Sequence, residues 1–157
     1  MKYKALAIDL DGTLLVGEEL PEPNRLAVAE AAKSGYQIII ATARWRQMAE
    51  RISREIGLNA PIIACSGAQV YLPEQRADIF DERLSEEAAV QLFELCNNNR
   101  CIATVSGTDQ TLLKLDGQPD MSQMPSEMHW VPQLQANPHD LPRIVTVQGT
   151  QLVQQIK

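Results

Sequence analysis

From the N-terminus, short and nearly unbroken apolar runs alternate with stretches in which apolar residues recur every three or four positions. Residues 3–8 make the first run and predict a strand. Asn24 can cap a helix continuing to about Ser34, with Gly35 placed to end it. Residues 36–41 are almost continuously apolar, the pattern of a strand buried on both faces of a parallel sheet. From Arg46 onward, Met48, Ile52 and Ile56 recur at four-residue spacing and Gly57 follows as a stop, so a second helix is expected. A third short strand is expected over 61–65. This alternation predicts an α/β fold with a doubly wound, Rossmann-like parallel sheet. Residues 69–72 and 77–80 then flank Pro73-Glu74-Gln75-Arg76, a hairpin signal.

Near Leu84 the pattern changes. Ser85 can cap a helix running to about Cys96, and residues 101–105 and 111–115 flank Ser106-Gly107-Thr108-Asp109-Gln110 as a second hairpin. Residues 116–142 contain five prolines and only scattered apolar positions. So long a connection in a compact unit implies either a lid or short elements hidden within it. Residues 143–147 predict a last strand, and a helix is expected to begin at Thr150.

Composition narrows the function class. The 157 residues are 45% hydrophobic and 22% charged, ordinary for a globular protein, and 20 acids against 14 bases leave a formal charge of −6. No Lys/Arg cluster is present to follow a phosphate backbone, which argues against nucleic acid as a partner. Nor is any apolar run long enough to span a bilayer, and the first residues do not read as a signal peptide, so no membrane partner and a cytoplasmic location are expected. Cys65, Cys96 and Cys101 are odd in number without a CxxC pair and read as buried reduced thiols; His129 and His139 read as surface residues.

The sharpest chemical signal is Ala5-Leu-Ala-Ile-Asp9-Leu10-Asp11-Gly12-Thr13. Side chains alternate on a strand, so Asp9 and Asp11 share one side and Leu10 points to the core. In parallel α/β sheets ligands bind beyond the carboxyl ends of the strands, where this pair falls. Two adjacent carboxylates repel unless a cation neutralises them, and Mg²⁺, which bridges a few carboxylates to phosphate oxygens, answers that need. One carboxylate could attack phosphorus while the other carries the leaving-group proton. Gly12 permits a tight turn to which the Thr13 hydroxyl can bond. The plainer alternative is a strand ending in an acidic turn, but Asp-x-Asp-Gly-Thr arises by chance in only about one such chain in several hundred. At the second strand's end, Thr42-Ala43-Arg44 stands where the next helix should begin, offering a hydroxyl and backbone N–H groups to an anion; Thr42 as a simple N-cap is the alternative.

These motifs resemble those of the haloacid dehalogenase superfamily, most closely its Cof-type, sugar-phosphatase-like branch: Asp9-Leu-Asp-Gly-Thr-Leu-Leu15 its first motif, Ile38-Ile-Ile-Ala-Thr-Ala-Arg44 its second. The resemblance implies that Asp9 is the nucleophile and a Mg²⁺ ligand. Asp11 is the general acid/base and also a metal ligand, through its backbone carbonyl. Thr42 and the amides of Leu10 and Ala43 hold phosphate oxygens, and Arg44 faces the substrate. It also implies an incomplete Rossmann-like core over residues 1–83 and a partial α+β cap over 84–157.

The sequence departs from the family pattern in several places. Ala43 stands where the branch usually has glycine, and Ser66-Gly67-Ala68 where it usually has Asn-Gly-Ala. The family's lysine and Gly-Asp-rich motif have no counterpart, since neither Lys33 nor Lys114 matches, and Asp81-Glu82 reads as a solvated junction. The chain is therefore expected to lack the C-terminal part of the pattern and to self-associate through the uncovered core edge. The expected activity is Mg²⁺-dependent hydrolysis of a small phosphorylated metabolite. A weak or inert phosphate- or partner-binding module is the alternative, and a receiver-type phosphoacceptor a more distant one.

Overall fold

The computed structural model describes residues 4–149, so Tyr3 of the first predicted strand and the helix expected from Thr150 lie outside the described residues. The chain forms two compact units, one up to Asp81 and one from Glu82.

In the first unit β1 (Ala5–Ile8), β2 (Gln37–Ala41) and β3 (Ile62–Ala64) run parallel, and β4 (Gln69–Leu72) and β5 (Ala77–Asp81) add an antiparallel hairpin, giving the order β1-β2-β3-β4-β5. Helices α1 (Glu22–Lys33) and α2 (Arg46–Ile56) supply the crossovers and touch each other. Right-handed crossovers between strands taken in sequence order put both helices on one face. Winding on both faces needs a reversal of strand order, which the described residues do not contain. The burial of β2 agrees with one-sided cover: Ile38 and Ile40 are buried, whereas Ile39 and Ala41 are half-buried. At the sheet edge β1 exposes Ala5, Leu6 and Ala7.

Helix α1 begins earlier than the sequence suggests. Pro21 occupies the N-cap position and Pro23 lies in the first turn, where a missing N–H costs nothing and a fixed φ favours helix. Asn24 is therefore inside the helix rather than capping it, and its Nδ2 donates to the Leu14 carbonyl at 3.0 Å. Helix α2 turns Met48, Ala49, Ile52 and Ile56 into the core and ends at Gly57, whose φ of +84° closes the last turn.

In the second unit Ser85 caps α3 (Glu86–Asn97), accepting from the Ala88 amide at 3.2 Å. Strands β6 (Ile102–Ser106), β7 (Thr111–Lys114), β8 (Met128–Val131) and β9 (Ile144–Gln148) form a sheet of order β8-β7-β6-β9, antiparallel except for β7 and β8. The proline-rich stretch hides short elements: a single helical turn at Met121–Gln123, and β8 itself. Phe93, Cys96, Cys101, Ala103, Val105 and Leu134 make the core, and Asn97 ties Leu134 to α3 by donating to its carbonyl and accepting from its amide, each at 2.9 Å. The three cysteines are buried and outside any disulfide, and both histidines are exposed. No helix among the described residues is long and apolar enough to cross a membrane.

Candidate active site

Parallel pairing brings the two candidate motifs side by side. Ile8 pairs with Ile40, so Asp9 and Thr42 each follow the last paired residues of neighbouring strands running the same way. Leu10 is wholly buried, which pins the strand exit to the core and leaves Asp9 and Asp11 exposed on either side of it. Its carbonyl gathers the amides of Thr13 (3.3 Å), Leu14 (3.0 Å) and Leu15 (2.8 Å), and Gly12 supplies the positive φ (+69°) that this winding requires. The turn is thus closed by the Thr13 amide, not by the hydroxyl expected from the sequence. Asp9 Oδ1 accepts from the Leu10 amide at 2.8 Å, so in the free protein the nucleophile candidate itself occupies one of the donors proposed for phosphate.

Thr42 is buried and its Oγ1 accepts from the Arg44 amide at 3.2 Å, while its own amide donates to Ile63 at 2.9 Å. Helix α2 begins only at Arg46, with Trp45 at the N-cap position. Thr42, Ala43 and Arg44 therefore form a loop ahead of the helix rather than its first turn, and Thr42 is not the cap. Its hydroxyl folds the loop on itself, and Ala43 is left exposed at the apex.

Arg44 reaches back across the strand ends. Its Nε lies 2.9 Å from Asp11 Oδ2 and its Nη2 2.5 Å from Asp11 Oδ1; Nη1 and Nη2 meet Glu18 Oε2 and Oε1 at 2.6 and 3.0 Å. These hydrogen bonds, aided by the guanidinium charge, hold the Asp11 carboxyl below the usual carboxylate range despite partial burial, and the two acids push Arg44 higher still. Asp11 is ionised at neutral pH, the state that can accept a proton.

Beside this loop the chain leaves β3 through Cys65, Ser66 and Gly67, with φ of 52°, 56° and 95°. Left-handed backbone at two non-glycine residues is strained, and such strain gathers at functional sites. The Cys65 amide donates to Arg44 O (2.8 Å) and that of Ser66 to Thr42 O (3.2 Å), so this turn buttresses the second motif.

The carboxylate pair is a donor set that would suit a divalent cation such as Mg²⁺. The Asp9 carboxylate and the Asp11 carbonyl are hard oxygen donors at one strand exit, which suits an ion that keeps several waters. The described residues hold no cluster of three acidic, His or Cys side chains able to cage a metal, so these two oxygens are a partial shell. Lysine is absent from the site among the described residues: Lys33 is exposed at the end of α1, and Lys114 is buried with its ammonium on Asn99 O (3.0 Å), Asp116 Oδ1 (3.1 Å) and Cys101 Sγ (3.8 Å). Glu18 was not foreseen from the sequence, where it reads as one more acid in a turn; only the fold puts it on an arginine 26 positions away.

Comparison with known proteins bears on the family of the chain. The profile of the haloacid dehalogenase-like hydrolases matches residues 6–143. Pyridoxal phosphate phosphatase YbhA of Escherichia coli (strain K12) is 31% identical over 100 residues, which cover 63% of this chain and 37% of that protein. The 5-amino-6-(5-phospho-D-ribitylamino)uracil phosphatase YcsE of Bacillus subtilis (strain 168) is 33% identical over 91 residues, covering 57% of this chain and 36% of its own length. The match thus spans little more than a third of these curated relatives. A haloacid dehalogenase-like hydrolase from Bacteroides thetaiotaomicron shares the fold, with a TM-score of 0.64 at 20% identity over 72% of this chain and 44% of that one.

Proposed function

Because this chain belongs to the haloacid dehalogenase-like hydrolases, we propose that it carries the phosphoryl-transfer motifs of a phosphatase acting on a small phosphorylated metabolite, such as a sugar phosphate. The observation that carries the reading is the convergence of Asp9, Asp11, Thr42 and Arg44 at the ends of two paired parallel strands. An Asp9 carboxylate oxygen attacks phosphorus and the ester P–O bond breaks. The leaving oxygen takes a proton from Asp11. Water then attacks the aspartyl-phosphate, gives its proton to the Asp11 carboxylate, and the P–O bond to Asp9 breaks. Thr42 Oγ1 and the amides of Leu10 and Ala43 hold the non-bridging oxygens once Asp9 turns from its own-chain contact. The Asp9 carboxylate and the Asp11 carbonyl would hold Mg²⁺, whose charge would offset the repulsion between carboxylate and phosphate. Asp11, ionised beside Arg44, suits the second step as it stands; the first requires it to gain a proton after the substrate arrives.

A second reading is favoured by the partial metal shell of residues 4–149: a module that binds phosphate but turns over slowly or not at all. Hydrolysis of an aryl phosphate with Mg²⁺ separates the two. Under the phosphatase reading Asp9→Asn removes turnover and Asp11→Asn reduces it ~10²–10⁴-fold, the usual worth of acid/base help. Phosphate binding without turnover supports the module. Turnover that survives Asp9→Asn refutes the assignment of the first motif.

A further inference from the structure

The occupancy of Arg44 raises a question about how a substrate could use it. A guanidinium has five N–H donors in a planar fork. Here Nε and one Nη2 hydrogen serve Asp11, while the other Nη2 hydrogen and one from Nη1 serve Glu18. One hydrogen remains, too few for the paired contact an arginine makes with a phosphate or carboxylate. An anion can engage Arg44 in that way only if one carboxylate lets go.

We propose that Glu18 is a built-in competitor for the anion-binding edge of Arg44, occupying in the free protein the Nη1/Nη2 edge that the anionic group of a phosphorylated substrate takes. The inference rests on the reading of this site as a phosphate site. Exposure selects Glu18 as the partner that yields, because its side chain is 73% exposed against 51% for Asp11. An exposed ion pair is weak, and the released carboxylate returns to water at little cost. The local backbone presents Glu18 deliberately. Val16 and Glu19 exchange backbone hydrogen bonds of 3.0 and 3.3 Å around a turn in which Gly17 has φ +63°, and Glu18 stands at its tip. Buried Leu14 and Leu15, with the Asn24 contact to Leu14 O, anchor the base of that turn. Charge works in the same direction, since a phosphate dianion offers Arg44 more negative charge than a carboxylate. Without the exchange, Asp11 and Glu18 both hold the single guanidinium and repel any anion approaching it.

The test is calorimetric binding of inorganic phosphate to the full chain with Mg²⁺ present, for the native protein, Glu18→Ala, Glu19→Ala, Arg44→Gln and the Glu18→Ala/Arg44→Gln pair. Glu18→Ala should bind phosphate roughly two- to fivefold more tightly, the fold-change of an exposed ion pair. Glu19→Ala removes an equal charge from the same turn without touching Arg44 and should leave affinity unchanged. In the Arg44→Gln background Glu18→Ala should have no effect. Unchanged or weaker binding by Glu18→Ala overturns the proposal while leaving the phosphate site standing, as does an equal gain in Glu19→Ala. Failure of every variant to bind phosphate overturns both.

Discussion

Cys96 is fully buried on the last turn of α3, against Cys101. Burial first, and the neighbouring Cys101 second, push its thiol from an ordinary 9.0 up to about 11, with the Lys114 ammonium pulling less strongly the other way. The folded-state value exceeds the unfolded one, which fixes the direction. Below pH 9 the thiol is protonated in both states and its contribution to stability is fully present. Between pH 9 and 11 the unfolded chain releases a proton that the folded chain keeps, so stability falls as pH rises. At pH 10 the proton affinities differ in effect by about tenfold, or ~1.4 kcal/mol, with a ceiling of ~2.7 kcal/mol above pH 11.

Only two tryptophans occur, Trp45 and Trp130, one in each unit, so a Trp45→Phe background lets β8 fluorescence follow the second unit alone. With a urea slope of ~1 kcal/mol/M for so small a unit, the midpoint should drop by about 1 M between pH 8 and pH 10 on account of Cys96. Cys96→Ala should start lower at pH 8, because a buried group is lost, and then fall by correspondingly less. The two pH profiles should converge. Parallel profiles would refute the claim that burial holds this proton.

Two substitutions test how the elements are held. Asn97→Ala leaves the buried backbone of Leu134 without both partners and should destabilise the second unit by ~2–4 kcal/mol in the same urea assay, with Asn97→Asp, which keeps only the acceptor, in between. Gly57→Ala meets no atom within 4 Å, so only its backbone penalty at φ +84° remains, and Trp45 fluorescence should report a loss of about 1 kcal/mol in the first unit.

Local signals in the sequence were read well where a single residue decides the outcome. Ser85 caps its helix, Gly57 ends another, and both hairpins join where turn residues interrupt apolar runs. Reading failed where two local rules compete. Asn24 has the side chain of a cap, yet Pro21 and Pro23, one on either side of Glu22, had already started the helix. Strand β8 is four residues with an exposed histidine in the middle, and its parallel pairing with β7 carries no turn signature, so only the length of the connection hinted at it. The winding of the sheet was illegible for another reason. Alternating strands and helices look the same whether strand order reverses or not, and only pairing decides which face a helix covers.

The same distinction governs the site. Asp9, Asp11, Thr42 and Arg44 could be picked out because each sits at a strand exit, a place that apolar periodicity reveals. What periodicity cannot reveal is which charges those exits share. The structure shows two carboxylates, on Asp11 and Glu18, holding one guanidinium, with Asp9 exposed at the same strand exit, in a chain whose formal charge is −6. Two unit charges 4 Å apart cost ~1 kcal/mol in water and ~4 kcal/mol at an effective dielectric of 20. A phosphate dianion therefore meets several kcal/mol of opposition here unless positive charge is added or negative charge withdrawn. A divalent cation on the Asp9 and Asp11 oxygens would do the first, and the proposed release of Glu18 from Arg44 the second. The acidity that makes the opening motif look unfavourable for an anion is thus what a bound cation and Arg44 would have to offset, and it ties the proposed catalysis to the proposed exchange at Glu18.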